Sequence, residues 1–186
     1  MKSITFQMDG KAVTATEGMS LLQAARQAGV EIPTLCFNEE LKPSGDCRMC
    51  MVEVVKGKRK RLVASCCYPV QEGIVVTTDN PRIKQIRKMI IELVWPTWTQ
   101  LAEKYGVTKS RFVPEMTDCN LCGQCVRYCA EVVKKNAVFF EGRGVERHVG
   151  FTPGMAECDA CRKCFAFCTG GYIVTEHGKA KASLEE

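Results

Sequence analysis

The chain has 186 residues, 46% of them hydrophobic and 25% charged, with 26 Lys and Arg against 21 Asp and Glu for a formal charge of +5. It opens without a charged-then-apolar leader and holds no apolar run of the roughly 18 residues that a membrane span needs, so secretion and membrane insertion are disfavoured and a cytoplasmic setting is expected. Its 13 cysteines, an odd number, argue against a closed disulfide framework and for reduced thiols available to metal.

Ile4, Phe6 and Met8 alternate with polar residues, Asp9-Gly10 is a hairpin turn, and Val13 resumes the pattern, which predicts a β-hairpin. Ser20 with Gln23 forms a capping box, Leu21, Leu22, Ala25 and Ala28 share a face, and Gly29 stops the run, which predicts one short helix. Strand signals return at residues 51–55, 62–64 and 74–77, with Gly57 and Gly73 between them. A small mixed sheet packed by one helix is the economical architecture. The basic run KGKRKR (56–61) falls between two of these strands and reads as a solvated hairpin tip rather than a nucleic-acid patch.

On this scaffold lie Cys36, Cys47, Cys50 and a vicinal pair, Cys66 and Cys67. A close pair in a loop with remote partners is the layout of plant-type [2Fe–2S] sites, although the first spacing there is shorter. Spacing does not choose between Cys66 and Cys67. The segments IPTLCF (32–37), GDCRMCMVEVV (45–55) and SCCYPVQEGIVV (65–76) resemble the [2Fe–2S] domain of the NADH dehydrogenase large iron–sulfur subunit, a module similar to the one that opens many [FeFe] hydrogenases and NAD-linked formate dehydrogenases. The resemblance implies a β-grasp, ferredoxin-like fold over residues 1–79 and a one-electron relay role. Its C-x-x-P-V-x-x-G pattern implies Cys66 as the fourth ligand, leaving Cys67 as an unliganded, small buried apolar residue.

Asn80-Pro81 is a helix start, and Ile83, Ile86, Met89, Ile90, Leu93 and Val94 mark an apolar face up to Trp95-Pro96. In the resembling family a similar helix leads into a loop that binds a further [4Fe–4S] cluster through one histidine and three cysteines. Residues 95–118 contain neither His nor Cys, yet LAEKYGVTKSRF (101–112) is similar to the stretch after that loop, so residues 80–111 are expected to be a helical linker from which the loop is deleted. Trp95 and Trp98 are expected to serve as packing.

The last third holds two runs of C-x2-C-x2-C-x3-C: Cys119, Cys122, Cys125, Cys129 and Cys158, Cys161, Cys164, Cys168. This is the pattern of a bacterial-type 2[4Fe–4S] ferredoxin, in which the fourth cysteine of each run ligates the other cluster. Cys119, Cys122, Cys125 and Cys168 are thus expected to hold one cluster, and Cys129, Cys158, Cys161 and Cys164 the other, in a domain spanning 112–186 with a short polar tail. CNLCGQCVRYCAEV (119–132) resembles the first run of the hydrogenase and NADH dehydrogenase families, whereas CDACRKCFAFCTGGYI (158–173) lacks the proline usual after the last cysteine. Gly123, Gly142, Gly144 and Gly154 are expected to permit tight turns near the sulfurs, and His148 is read as a surface residue beside a complete ligand set.

Zinc uses four ligands as two separated pairs and has no place for a third cysteine at the same interval. With three clusters bound, each adding about −2, the holoprotein charge falls to about −1, without the strong field that steers a mobile carrier. The chain carries no dinucleotide fingerprint, P-loop or free nucleophile, so no catalytic site is expected on it. The fold class expected is α+β. The resemblance covers residues 3–175 and implies an iron–sulfur electron-transfer subunit of an anaerobic oxidoreductase complex, with a flavin- or NAD-binding subunit and a catalytic subunit as partners, as in hydrogenases, formate dehydrogenases or benzoyl-CoA reductase complexes. A free polyferredoxin is the alternative.

Overall fold

The computed structural model describes residues 2–96, 98–112, 119–152, 156–168, 171–174 and 177–178. Gly154, Thr169 and the polar tail (179–186) lie outside the described residues.

Strands β1 (Ser3–Met8) and β2 (Lys11–Thr16) form the expected hairpin, with Asp9 and Gly10 both at positive φ (49° and 78°), the conformation that matches strand twist in a two-residue turn. The Asp9 carboxylate also accepts from the Thr78 backbone N–H at 2.8 Å and its hydroxyl at 2.6 Å, tying the turn to the end of the sheet. Helix α1 (Leu21–Gln27) starts at the capping box: Ser20 Oγ accepts from Gln23 N–H, and Gln23 Oε1 from Ser20 N–H. Strands β3 (Met51–Lys56), β4 (Arg59–Ala64) and β5 (Val75–Thr77) complete a mixed sheet of order β2-β1-β5-β3-β4, with β1 and β5 parallel and the other pairs antiparallel. Leu21, Leu22, Ala24 and Ala25 of α1 join Ile4, Phe6, Met8, Val52, Val54 and Val76 in one core. A mixed sheet with a helix packed on it is the layout expected for the amino-terminal part. The KGKRKR run turns at Gly57, and Lys60 pairs across the strands with Glu53 at 2.9 Å.

Helix α2 (Pro81–Leu93) is capped by Asn80, whose Oδ1 accepts from Ile83 N–H at 2.9 Å. Its buried face differs from the expected one. Ile83, Arg87 and Ile91 are buried, while Met89 and Leu93 are 45% and 61% exposed. The apolar stripe is wider than the buried one, and an arginine occupies its centre because its whole fork finds acceptors. Helix α3 (Thr99–Tyr105) packs against α2, and Trp95 and Trp98 are half-buried beside Leu35, Met49, Ile91 and Ala102, the packing role expected of them.

Helix α4 (Gln124–Tyr128) continues into a wider turn over Cys129–Val133, and β6 (Val138–Glu141) pairs antiparallel with β7 (His148–Phe151). Gly142 must be glycine, since a Cβ there would stand 2.5 Å from the Glu146 carbonyl oxygen. Helix α5 (Ala156–Cys161) and a 3₁₀ turn at Lys163–Phe167 come next. The core of this part mixes Tyr128, Val138, Val149 and Ile173 with Cys129, Cys158 and Cys164, and it also takes in Leu41 from the amino-terminal part.

Leu41 arrives on the segment between Cys36 and Cys47, which lies along α4. Lys42 N–H donates to Glu131 Oε2 at 3.1 Å, Arg127 donates to Ser44 Oγ and to the Lys42 carbonyl, Tyr128 OH to Glu40 Oε2 at 3.1 Å, and Gln124 Nε2 to the Leu35 carbonyl at 2.8 Å. The amino- and carboxy-terminal parts therefore meet through this segment.

Asn80→Ala removes the α2 cap and should lower the stability of the chain by about 1 kcal/mol. The measurement is the urea midpoint of the far-ultraviolet circular dichroism, with a conservative Asn80→Ser variant expected to stay near wild type.

Candidate iron–sulfur sites

Cys36, Cys47, Cys50 and Cys66 converge at the end of the sheet. Cys36 sits after α1, Cys47 and Cys50 lie in the turn entering β3, and Cys66 comes just after β4. The sulfurs of Cys36 and Cys47 are 3.2 Å apart, and those of Cys50 and Cys66 form a second hydrogen-bonded pair. Within each pair one thiol shares its proton with the other. Cys47 pulls Cys36 down to about 5, and Cys66 pulls Cys50 down to about 6, while Cys47 and Cys66 are pushed up in return. Backbone N–H groups of Cys47, Met49 and Cys66 also point at these sulfurs. Ser65 holds the geometry from behind, with its hydroxyl and its N–H both on the Cys50 carbonyl, at 2.8 and 3.1 Å.

Cys66 is 2% exposed and its sulfur lies 3.6 Å from that of Cys67, which points outward. The structure corrects the expectation that Cys67 is a buried apolar residue: it is exposed beside the Gly45 backbone.

The carboxy-terminal cysteines surround two cavities. Cys119, Cys122, Cys125 and Cys168 line one, together with Val149, Phe167 and Ile173; Cys129, Cys158, Cys161 and Cys164 line the other, with Val133, Val138 and Phe165. Each run thus sends its last cysteine to the cavity of the other. Ala137 N–H donates to Cys129 Sγ at 3.1 Å and Ile173 N–H to Cys168 Sγ at 3.5 Å. Burial pushes Cys125 and Cys164 up to about 12 and raises Cys122 as well. A thiolate in these cavities therefore requires a cation. Sulfurs spread around an apolar cavity, with N–H donors behind them, suit a polynuclear cluster.

An open cleft of about 560 Å³ joins the first site to the second, with Cys36 and Cys47 on one wall and Cys122 on the other. Leu35, Leu93, Arg127 and Phe140 also line it.

Residues 1–81 match the family model described as a 2Fe-2S iron-sulfur cluster binding domain. The chain is 31% identical over 183 aligned residues to the mitochondrial NADH-ubiquinone oxidoreductase 78 kDa subunit of Candida albicans, covering 81% of this chain and 25% of that protein. Its identity to the NADH-ubiquinone oxidoreductase 75 kDa subunit of Reclinomonas americana is 31% over 173 residues, covering 76% of this chain and 25% of the relative. The chain thus spans about a quarter of the length of these subunits. Among solved structures, a chain of an NAD+-reducing [NiFe]-hydrogenase in the H2-reduced state superposes with a TM-score of 0.72 at 28% identity, covering 82% of this chain and 76% of that one.

Two residues near these sites escape the sequence pattern. His177, rather than the exposed His148, is the histidine packed against a cysteine run: it is buried, 3.1 Å from Asp159 Oδ1, and set edge-on to Phe151 and Phe165. It lies beyond the second run in sequence, and nothing local to it signals the contact. Arg87 is buried against the turn of the [2Fe–2S] domain, and its one signal is its position amid the apolar residues of α2.

Because Cys125 and Cys164 are held neutral, their contribution to the stability of the metal-free chain is full below the ordinary thiol value of 9 and is lost as pH rises toward about 12. The urea midpoint of metal-free chain should accordingly fall across that window. In the metal-loaded chain, thiol alkylation and mass spectrometry should find Cys67 labelled first, and labelling of Cys66 ahead of Cys67 would contradict the assignment of the exposed thiol.

Proposed function

We propose that the chain is an iron–sulfur electron-transfer subunit of an NAD(H)-linked oxidoreductase complex. In this reading Cys36, Cys47, Cys50 and Cys66 hold a [2Fe–2S] cluster, Cys119, Cys122, Cys125 and Cys168 one [4Fe–4S] cluster, and Cys129, Cys158, Cys161 and Cys164 another. The observation that carries it is the gathering of twelve cysteines into three sets of four, two of them in cavities that exchange the last cysteine of each run. Bound clusters of these types each take up and release one electron at a time.

The chain's own residues do the rest. Paired thiols with depressed members are ready to bind iron at the first site, whereas burial at the other two makes coordination the means by which thiolates form, so loading releases protons there. N–H donors to Cys47, Cys129 and Cys168 stabilise added negative charge. On the same reading a β-grasp domain spans 1–79, a helical linker 80–111 and a bacterial-type ferredoxin domain 112–186.

The relatives' names point to the partners. A flavin- or NAD-binding subunit and a catalytic subunit, in a hydrogenase, formate dehydrogenase or other low-potential reductase such as a benzoyl-CoA reductase complex, are proposed as the neighbours. No helix among the described residues is long and apolar enough to cross a membrane.

Anaerobic affinity purification from the native host should recover such chains in fixed ratio. A chain eluting alone with its full iron content would support a free carrier. By electron paramagnetic resonance, Cys122→Ser should damage one cubane and spare the [2Fe–2S] signal, Cys66→Ser should abolish that signal, and Cys67→Ser should retain it. Loss with Cys67→Ser and retention with Cys66→Ser would reassign the ligand.

A further inference from the structure

Arg87 is 2% exposed and four of its contacts are hydrogen bonds with directed geometry. Its Nε–H donates to the Met49 carbonyl at 3.2 Å, its Nη2 to the carbonyls of Met51 and Thr78 at 3.0 Å each, and its Nη1 to the Tyr105 hydroxyl at 3.1 Å. The nearest carboxylate, Asp79, stands 4.0 Å away with about half of its side chain in solvent, so the buried charge is only partly neutralised. A buried guanidinium is costly to desolvate, and an apolar side chain of similar size would fill the same space.

The acceptors show what the charge is placed against. Met49 lies in the turn between Cys47 and Cys50, and its own N–H points at the Cys47 sulfur. Arg87 grips the outward carbonyls of Met49 and Met51 and thereby brackets Cys50. The Met49 N–H shares its peptide unit with the Arg48 carbonyl, which accepts from Met51 N–H at 3.3 Å, so the turn that Arg87 grips at Met49 and Met51 is the one that carries the N–H aimed at Cys47. The Thr78 and Tyr105 bonds anchor the guanidinium to the end of the sheet and to α3, so it has little freedom to move away.

We propose that Arg87 is a positioning residue for the [2Fe–2S] site, holding the Cys47–Cys50 turn in its sulfur-facing form and raising the reduction potential through a buried positive charge. The inference rests on the [2Fe–2S] reading of Cys36, Cys47, Cys50 and Cys66. Four thiolates around an oxidised core of about +2 give a site of about −2, and an added electron deepens it, so a fixed cation and directed N–H donors favour the reduced form.

The test compares Arg87→Met, Arg87→Lys and Ile91→Ala in the whole chain, by iron and sulfide content and by a redox titration of the [2Fe–2S] paramagnetic signal. Arg87→Met should shift the midpoint potential to more negative values and broaden the signal. Arg87→Lys keeps the charge but not the fork, and should recover most of the potential while the signal stays broad. Ile91→Ala loosens the same packing without touching these bonds and should leave both unchanged. Wild-type potential and line shape in Arg87→Met at full iron content would overturn the proposal, as would an equal shift in Ile91→Ala. Should Arg87→Met fail to fold, the line width of Arg87→Lys against that of Ile91→Ala decides in the same way. A wild-type chain without any [2Fe–2S] signal would overturn the ligand reading beneath the inference, and that outcome is visible before a variant is made.

Discussion

A thiol buried in an apolar cavity resists ionisation, yet only the thiolate binds iron, and under the proposed function the carboxy-terminal part of this molecule is arranged around that conflict. Cys125 and Cys164 are held up near 12 by burial, and the core they share with Tyr128, Val138, Val149 and Ile173 is too small to be independent of its sulfurs. On the proposed reading, coordination would supply the missing cation and close the cavity at once, linking metal binding to folding there. The amino-terminal sheet is different. Its core of Ile4, Phe6, Leu21, Leu22, Val52 and Val76 is built mainly of aliphatic and aromatic side chains and takes in Cys50 and Cys66 at its end, where the cysteines form two proton-sharing pairs.

The join between these parts uses the segment that carries the first site. Between Cys36 and Cys47 the chain reaches across to α4, buries Leu41 in the other core and bonds through Lys42, Ser44 and Glu40. Most of the residues it touches lie close to Cys125 and Cys129. Glu131, held below the usual carboxylate range by the Lys42 N–H and by Arg127, is one fixed charge of this contact. A displacement of this segment therefore bears on the Cys36–Cys47 pair and on the α4 cysteines together. Arg87 plays the corresponding part on the opposite side, linking α2 and α3 to the Cys47–Cys50 turn.

Much of the local structure was legible. The Asp9-Gly10 turn, the Ser20–Gln23 capping box and the Asn80 cap are short-range hydrogen-bond patterns, each complete within a few residues, and all three are present. The first hairpin was legible because its inward residues alternate, which those of β3 and β4 do not. The buried face of α2 was not, because hydropathy treats arginine as a surface residue and cannot count the acceptors at Met49, Met51 and Thr78. The exposure of Cys67 and the burial of His177 were hidden for a related reason: burial of a side chain at the end of an element depends on what packs there from elsewhere in the chain.

By itself the sequence determined the number and kind of sulfur donors, since the spacing of thiols along a turn is a local property that iron–sulfur ligation reads directly. It also determined where strands and helices begin, through caps and turns. Tertiary structure alone decided that Cys67 is exposed, that Arg87 and His177 are buried, and how the Cys36–Cys47 segment meets α4. Those are long-range matters. They depend on packing and on hydrogen bonds between residues far apart in the chain, and no local pattern encodes them.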